Sequence, residues 1–341
     1  MNKMAIAVVM AAGFSGSVMA QSNVTLYGRV NTSVEFQDNG VIDKTVMRNN
    51  SSRWGLRGTE DLGGGLNAFF QLEAGFGSDD GSGAGGFSRE SYVGLKSASL
   101  GQVKLGRMFS ALYNSTLDYI GNFNHDTGTT SEDNLYGSYL INGSVIASNA
   151  VEYTSPAFGP VTFALTAAAS EGVVNKTYEG VVNYDQGPLH VAAGYAQYRN
   201  TSDVTLGSVV SAAASYSFGP VALGIAYEHD NAKNIPNSAF GLGAGTLGKR
   251  DAVTFTGQYN VGPSEFHLSV GYADRWKGAV VDTKYLQYTL GYKYKLSKRT
   301  AVYAFYFSGD NNNLVYAGTG NVPGLINETF QTVGLGVRHN F

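Results

Sequence analysis

Five charged side chains share one parity within stretches that alternate polar and apolar. They are Arg29 in residues 24–36, Arg53, Arg57 and Glu73 in residues 52–76, and Lys104 in residues 103–108. A strand sends successive side chains to opposite faces, so these charges stand away from the Val, Leu and Phe of the same stretches. Along a confined column of water, guanidinium and ammonium groups facing carboxylates create a transverse field, and an excess of either sign selects ions. The candidate counter-charges are Asp118 and Asp126, which lie in a stretch without sustained alternation, residues 109–146. For Arg53 and Arg57 the other reading is a solvated strand end.

Other chemistries find little support. Residues 243–248 match G-x-G-x-x-G but lack the strand-to-helix setting that dinucleotide binding needs. The five histidines are scattered, with no H-E-x-x-H and no G-x-S-x-G, so the sequence points to no metal, cofactor or catalytic set. A barrel enzyme would need an inward or rim Ser/His pair, with His190 or His267 the histidines to test. No strongly basic run points to nucleic acid.

The elements that must position the charges are strands. Residues 52–76 read as a hairpin: Trp54 and Leu56 in the first arm and Ala68, Phe70, Leu72, Ala74 and Phe76 in the second share an oily face, around an acid- and glycine-rich turn at 60–65. The same rhythm recurs to the C-terminus, with Tyr and Phe near strand ends. Short turns (155–160, 185–188, 218–220, 260–263, 295–299) take turns with longer polar joins (171–176, 199–204, 230–249, 276–282, 310–328). A sandwich would not order its connections this way; an up-and-down membrane barrel does, with tight turns on one rim and long loops on the other. The chain has 341 residues, 45 glycines, 22 tyrosines, no cysteine and a formal charge of −3. After residue 20 no apolar run reaches the roughly eighteen residues a membrane helix needs, so a membrane location requires a closed barrel. Counting arms gives an all-β, antiparallel, transmembrane barrel of about sixteen strands, wide enough for a water-filled bore. Residues 1–20, with Lys3, an apolar core and Val18-Met19-Ala20, read as a cleaved secretory signal, leaving residues 21–341 as the barrel. The last strand ends on Phe341 in the outward register.

With these features in place, the sequence resembles the trimeric general porins of Gram-negative bacteria, of the neisserial and burkholderial type. The matching motifs are VTLYG (24–28), SRWGLRGTEDLGGGLNAFFQLE (52–73), SRESYVGL (88–95), GQVKLGR (101–107), VEYTSPAFGP (151–160), LSKRT (296–300) and the ending VGLGVRHNF. The resemblance implies a sixteen-stranded outer-membrane barrel and a homotrimer, two further copies of the chain being its partners beside lipid. It also implies a third loop folded into the bore, where residues 109–146 fall, and passage of small hydrophilic solutes and ions. Arg89 shares parity with Val93 and Leu95, which by pattern alone points it outward; the resemblance places it among the constriction arginines. The family tends to carry a basic residue shortly before the V-x-Y-T-S-P stretch. Here that neighbourhood is Val145-Ile146-Ala147, and Glu152 takes an inward slot, which argues against strong anion selectivity while Arg29 offers compensating charge. A solute-specific channel of the same architecture, or an adhesin with a plugged bore, are the alternatives.

Overall fold

Alternation in the sequence becomes strand almost everywhere in the computed structural model, which describes residues 23–38, 40, 43–83, 85–121, 135–137, 141, 144–169, 171, 175–240, 244–311 and 328–341. The strands are β1 (Asn23–Asp38), β2 (Asp43–Asn49), β3 (Arg53–Gly63), β4 (Leu66–Gly75), β5 (Glu90–Ser97) and β6 (Gly101–Phe109), followed by two short helices, α1 (Ala111–Ser115) and α2 (Leu117–Gly121). Then come β7 (Ile146–Thr154), β8 (Val161–Ala168), β9 (Lys176–Gln186), β10 (Leu189–Arg199), β11 (Thr205–Phe218) and β12 (Val221–Pro236). The last are β13 (Thr246–Val261), β14 (Ser264–Ala273), β15 (Tyr285–Lys295), β16 (Thr300–Asn311) and β17 (Glu328–Asn340). Apart from β2 and β3, each pairs antiparallel with its neighbour in sequence, and β17 pairs back onto β1 from Arg29↔Asn340 to Asp38↔Gln331. Closure removes the open edge that lipid would not tolerate.

β2 and β3 are two halves of one strand. β1 pairs with β3 over residues 23–29 and with β2 over residues 32–38. Three residues, Asn50, Ser51 and Ser52, thus oppose two on β1, a bulge in which Ser51 takes a positive φ of 56°. The seventeen segments therefore make sixteen staves. The extra residue also resets parity, so Arg48 and Arg53, five positions apart, both point inward.

The wall is inside-out. Val24, Leu26, Val34 and Phe36 of β1 are exposed, whereas Arg29, Asn31, Ser33, Glu35 and Gln37 are buried. The same holds around the ring: Leu223, Ile225, Phe255, Leu268, Leu290 and Leu335 face out, and Thr254, Thr256, Ser269, Gln287 and Thr289 face in. Each outward Leu or Phe would be costly beside water, and a lipid surround removes that cost.

One sector of the interior is apolar. On the inward face of β10 to β14 stand Ala192, Ala196, Ala213, Ala226, Ala252 and Ala273, and against these small side chains pack Leu112 of α1, Leu117 and Ile120 of α2, and Leu135, Tyr136 and Ile141 farther along the same connection. Gly194 and Gly271 leave room for Leu112 and Leu135, since a Cβ at either would lie 2.7 or 2.1 Å from a leucine Cδ1. The described parts of the long connection therefore lie inside the bore against one wall. The connection's ends match the stretch where alternation stops, Phe109 closing β6 and Ile146 opening β7, but its first part is two helical turns rather than irregular chain.

Candidate pore constriction

The basic residues lie on the wall opposite the folded-in connection. Arg29, Arg53 and Arg57, with Tyr27, Gln71, Glu73 and Arg338, line a polar cavity of about 280 Å³ on β1, β3, β4 and β17. The bulge positions Arg29, whose Nη2 donates to the Ser51 carbonyl at 3.0 Å and whose side chain is almost wholly covered. Glu73 is the hub: it accepts from the Tyr27 hydroxyl at 3.0 Å and from Arg89 Nε at 2.5 Å, with Arg53 Nε at 3.8 Å. Arg57 is more exposed and sits 4.8 Å over the Tyr27 ring.

Arg89 escapes its outward parity because β5 begins one residue later, at Glu90. Its backbone N–H reaches the Glu73 carbonyl at 3.1 Å, and its guanidinium turns inward over Phe109 at 5.1 Å. Lys104 stands apart from this cluster, with Nζ 2.6 Å from Glu152 Oε1 and 5.2 Å over Tyr92. Asp118 is half-buried on α2, on the folded-in connection, while Asp126 lies outside the described residues, as do residues 1–20. Three participants went unassigned in the sequence. Arg338 stood on the polar face of the last strand, a readable signal. Arg48 needed the bulge to bring it inward, and Glu90, facing Glu73 in register, accepts from Gln71.

Fixed contacts hold the connection to its wall. Glu179 of β9 accepts from Ser110 Oγ at 2.6 Å and from the Ala111 N–H at 2.8 Å, capping α1 with a carboxylate. His190 of β10 bridges Asp185, 2.6 Å from Nδ1, and the Ser115 carbonyl, 2.9 Å from Nε2, with Tyr119 stacked on its ring at 3.7 Å. The Nε2 partner is a carbonyl, not a hydroxyl, so this histidine holds the connection rather than activating a nucleophile. Farther along, the Gly137 N–H donates to Asp230 at 3.0 Å, Arg250 donates to the Leu135 carbonyl, and Arg250 Nε lies 3.6 Å from Asp230. Arg250 also lies 4.6 Å over Trp276. Among the described residues, no group of three or more acids and histidines is placed to hold a metal.

A closed inside-out barrel with a helical segment against one inner wall and arginines on the other matches a known family along most of its length: the model for Gram-negative porins fits residues 5–314. The chain belongs to the Gram-negative porin family. Over the full length of both chains it is 32% identical to outer membrane porin protein 32 of Delftia acidovorans and 29% identical to an outer membrane porin protein of Bordetella pertussis. Its fold superposes on the anion-selective porin from Comamonas acidovorans with a TM-score of 0.79 at 28% identity, over 94% of this chain and all of that one. This porin therefore sits in the outer membrane, crosses it many times as a sixteen-stranded barrel, and passes solutes passively with some selectivity. Its short turns mark the periplasmic rim and its long loops the external one.

Proposed function

We propose that this porin is a general diffusion pore for small hydrophilic solutes and ions, favouring anions modestly. In this reading the narrow section lies between the arginine-lined wall and the connection 109–146. Arg29, Arg53, Arg57, Arg89 and Lys104 supply the positive side, and Glu73 with Asp118 and Asp126 the negative. The observation that carries it is the shared cavity: Arg29, Arg53, Arg57 and Arg338 converge on it against a single carboxylate, Glu73. The anion selectivity of the Comamonas acidovorans porin supports the same sign. Glu73, Glu90 and Glu152 on the same side keep the preference modest by pairing with Arg89, Gln71 and Lys104. The porin acts without catalysis and without a cofactor, as a homotrimer whose residues 1–20 direct export and are removed.

Single-channel recording in a planar bilayer across a salt gradient tests this. Three-step closures with a reversal potential of anion sign are expected. A silent bilayer would remove the transport reading, a cation-signed potential the selectivity, and single-step closures the trimer.

A further inference from the structure

One contact beneath the connection has a donor count that fixes its charge. His190, the second residue of β10, is buried on the inner face close to the turn at 185–188. Its Nδ1 lies 2.6 Å from Asp185 Oδ1, and its Nε2 lies 2.9 Å from the carbonyl of Ser115, the last residue of α1. The Tyr119 ring of α2 stacks on the imidazole with 3.7 Å between centroids. A carbonyl and a carboxylate both accept and neither donates. Neutral imidazole carries one N–H and one lone pair, so it satisfies one of these partners and turns a lone pair toward the other. The imidazolium donates to both.

The surroundings suit a charged ring. Asp185 stands in register with His190 on β9 and supplies the counter-charge, and among the described residues it has no other ion-pair partner. Tyr119 offers its π-face to the cation. The other titratable groups on the elements packed here are Tyr113 of α1 and Asp118 of α2, and β11 sets Ser215 opposite His190. The basic residues of β9 and β10, Lys176 and Arg199, lie at the far ends of their strands. Glu179 fastens the start of α1, whereas His190 fastens its end and carries the first aromatic ring of α2. Losing one of its two bonds therefore loosens the connection on the side that faces the bore.

We propose that His190 is a positioning residue for the pore: as an imidazolium bridging Asp185 and the Ser115 carbonyl it holds α1 and α2 against the wall, and loss of its proton releases them. The sign follows from the donor count. Both bonds exist while the ring is charged, and one is lost as pH rises through the range in which histidine gives up its proton. The inference rests on the channel reading, and deepens it by naming what keeps the narrow section steady.

Planar-bilayer recording in symmetric salt, from about pH 5 to about pH 9, tests the assignment through the frequency of brief current interruptions. In the wild type that frequency is expected to rise on the order of tenfold with the slope of a single proton, the factor set by one charge-assisted hydrogen bond. His190→Gln donates to one partner at most and should be noisy and flat across the range. Asp185→Asn should be quiet and flat, because its amide N–H donates to Nδ1 while the neutral ring keeps Nε2–H for the Ser115 carbonyl. His229→Gln, on the outer face, should keep the wild-type profile. A flat wild type, or a wild-type profile in either His190→Gln or Asp185→Asn, would overturn the proposal while leaving the channel intact. A silent bilayer would remove the channel reading and this positioning role with it. If His190→Gln does not fold, the contrast between the wild type and Asp185→Asn decides.

Discussion

Arg89 Nε lies 2.5 Å from Glu73 Oε1, although Arg89 precedes its strand and its parity alone would aim it at lipid. The same carboxylate is 3.8 Å from Arg53, so one acid tempers two guanidinium groups on the inner wall. Glu73→Gln keeps an acceptor for the Tyr27 hydroxyl and removes the charge. The expected result is an intact channel whose reversal potential moves toward anions, measured in planar bilayers at a fixed salt ratio. An unchanged potential would mean that permeating ions do not sense Glu73.

Arg53→Ala and Arg29→Ala should both move the potential toward cations, but they differ in their effect on the barrel. Arg53 is half-exposed beside water, and its loss is tolerated. Arg29 is 3% exposed and holds the bulge through the Ser51 carbonyl, so its removal costs about 1.5–3 kcal/mol in addition. Thermal unfolding in detergent is the check: a lower midpoint is expected for Arg29→Ala alone, and equal midpoints would discount the bulge contact.

Asp203, in the external loop between β10 and β11, is held below the usual carboxylate range by its hydrogen bond to Lys176, by the charge of Lys176 and by Arg199. A depressed acid stabilises above its unfolded pKa and loses that contribution as pH falls. Protease nicking near residues 200–204 should therefore stay flat from neutrality to about pH 4 and rise only below it. Asp203→Asn should show the raised nicking at neutral pH, and an identical profile for the two proteins would count against the contact.

Strand membership was legible because lipid and water impose a period of two, and Val24, Leu26, Val34 and Phe36 face out as their parity requires. Parity also pointed Arg29, Arg53, Glu73 and Lys104 to the inner face, where they lie. It missed Arg48, because one bulged residue resets the alternation, and it misdirected Arg89, because pairing starts one position later. The family motif repaired the second error but not the first. The seat of the folded-in connection was hidden for a different reason. Inward alanines on β10 to β14 look like weak strand residues until Leu112, Leu135 and Ile141 pack on them from far along the chain.

Arg250 and Asp230 are both buried, and together with Tyr136, Gly137 and Leu135 they fasten the connection to β12 and β13. Arg250→Ala would strand the Asp230 carboxylate without its counter-charge, at a cost of about 3–5 kcal/mol, whereas Arg250→Met with Asp230→Leu removes both charges and costs less. The single variant should show noisier open-channel current and easier proteolysis near residues 135–137, with the double variant nearer the wild type. Quiet current from Arg250→Ala would show that the other contacts suffice.

The barrel seam depends on Gly28. Its N–H donates to the Phe341 carbonyl at 3.0 Å, the Phe341 N–H returns a bond to the Gly28 carbonyl at 3.0 Å, and a Cβ on Gly28 would come within 2.3 Å of the Phe341 ring and 2.7 Å of the Arg53 carbonyl. The ring is the far end of a flexible side chain, whereas the carbonyl is backbone of the neighbouring strand and yields far less. Gly28→Ala therefore forces apart the β1–β3 ladder beside the point where the chain closes, a strain of about 1–3 kcal/mol. Less folded barrel after refolding into detergent is expected, read as the heat-modifiable band on a gel. Phe341→Ala combined with Gly28→Ala should not restore it, because the backbone contact remains; full rescue would place the conflict in the ring alone.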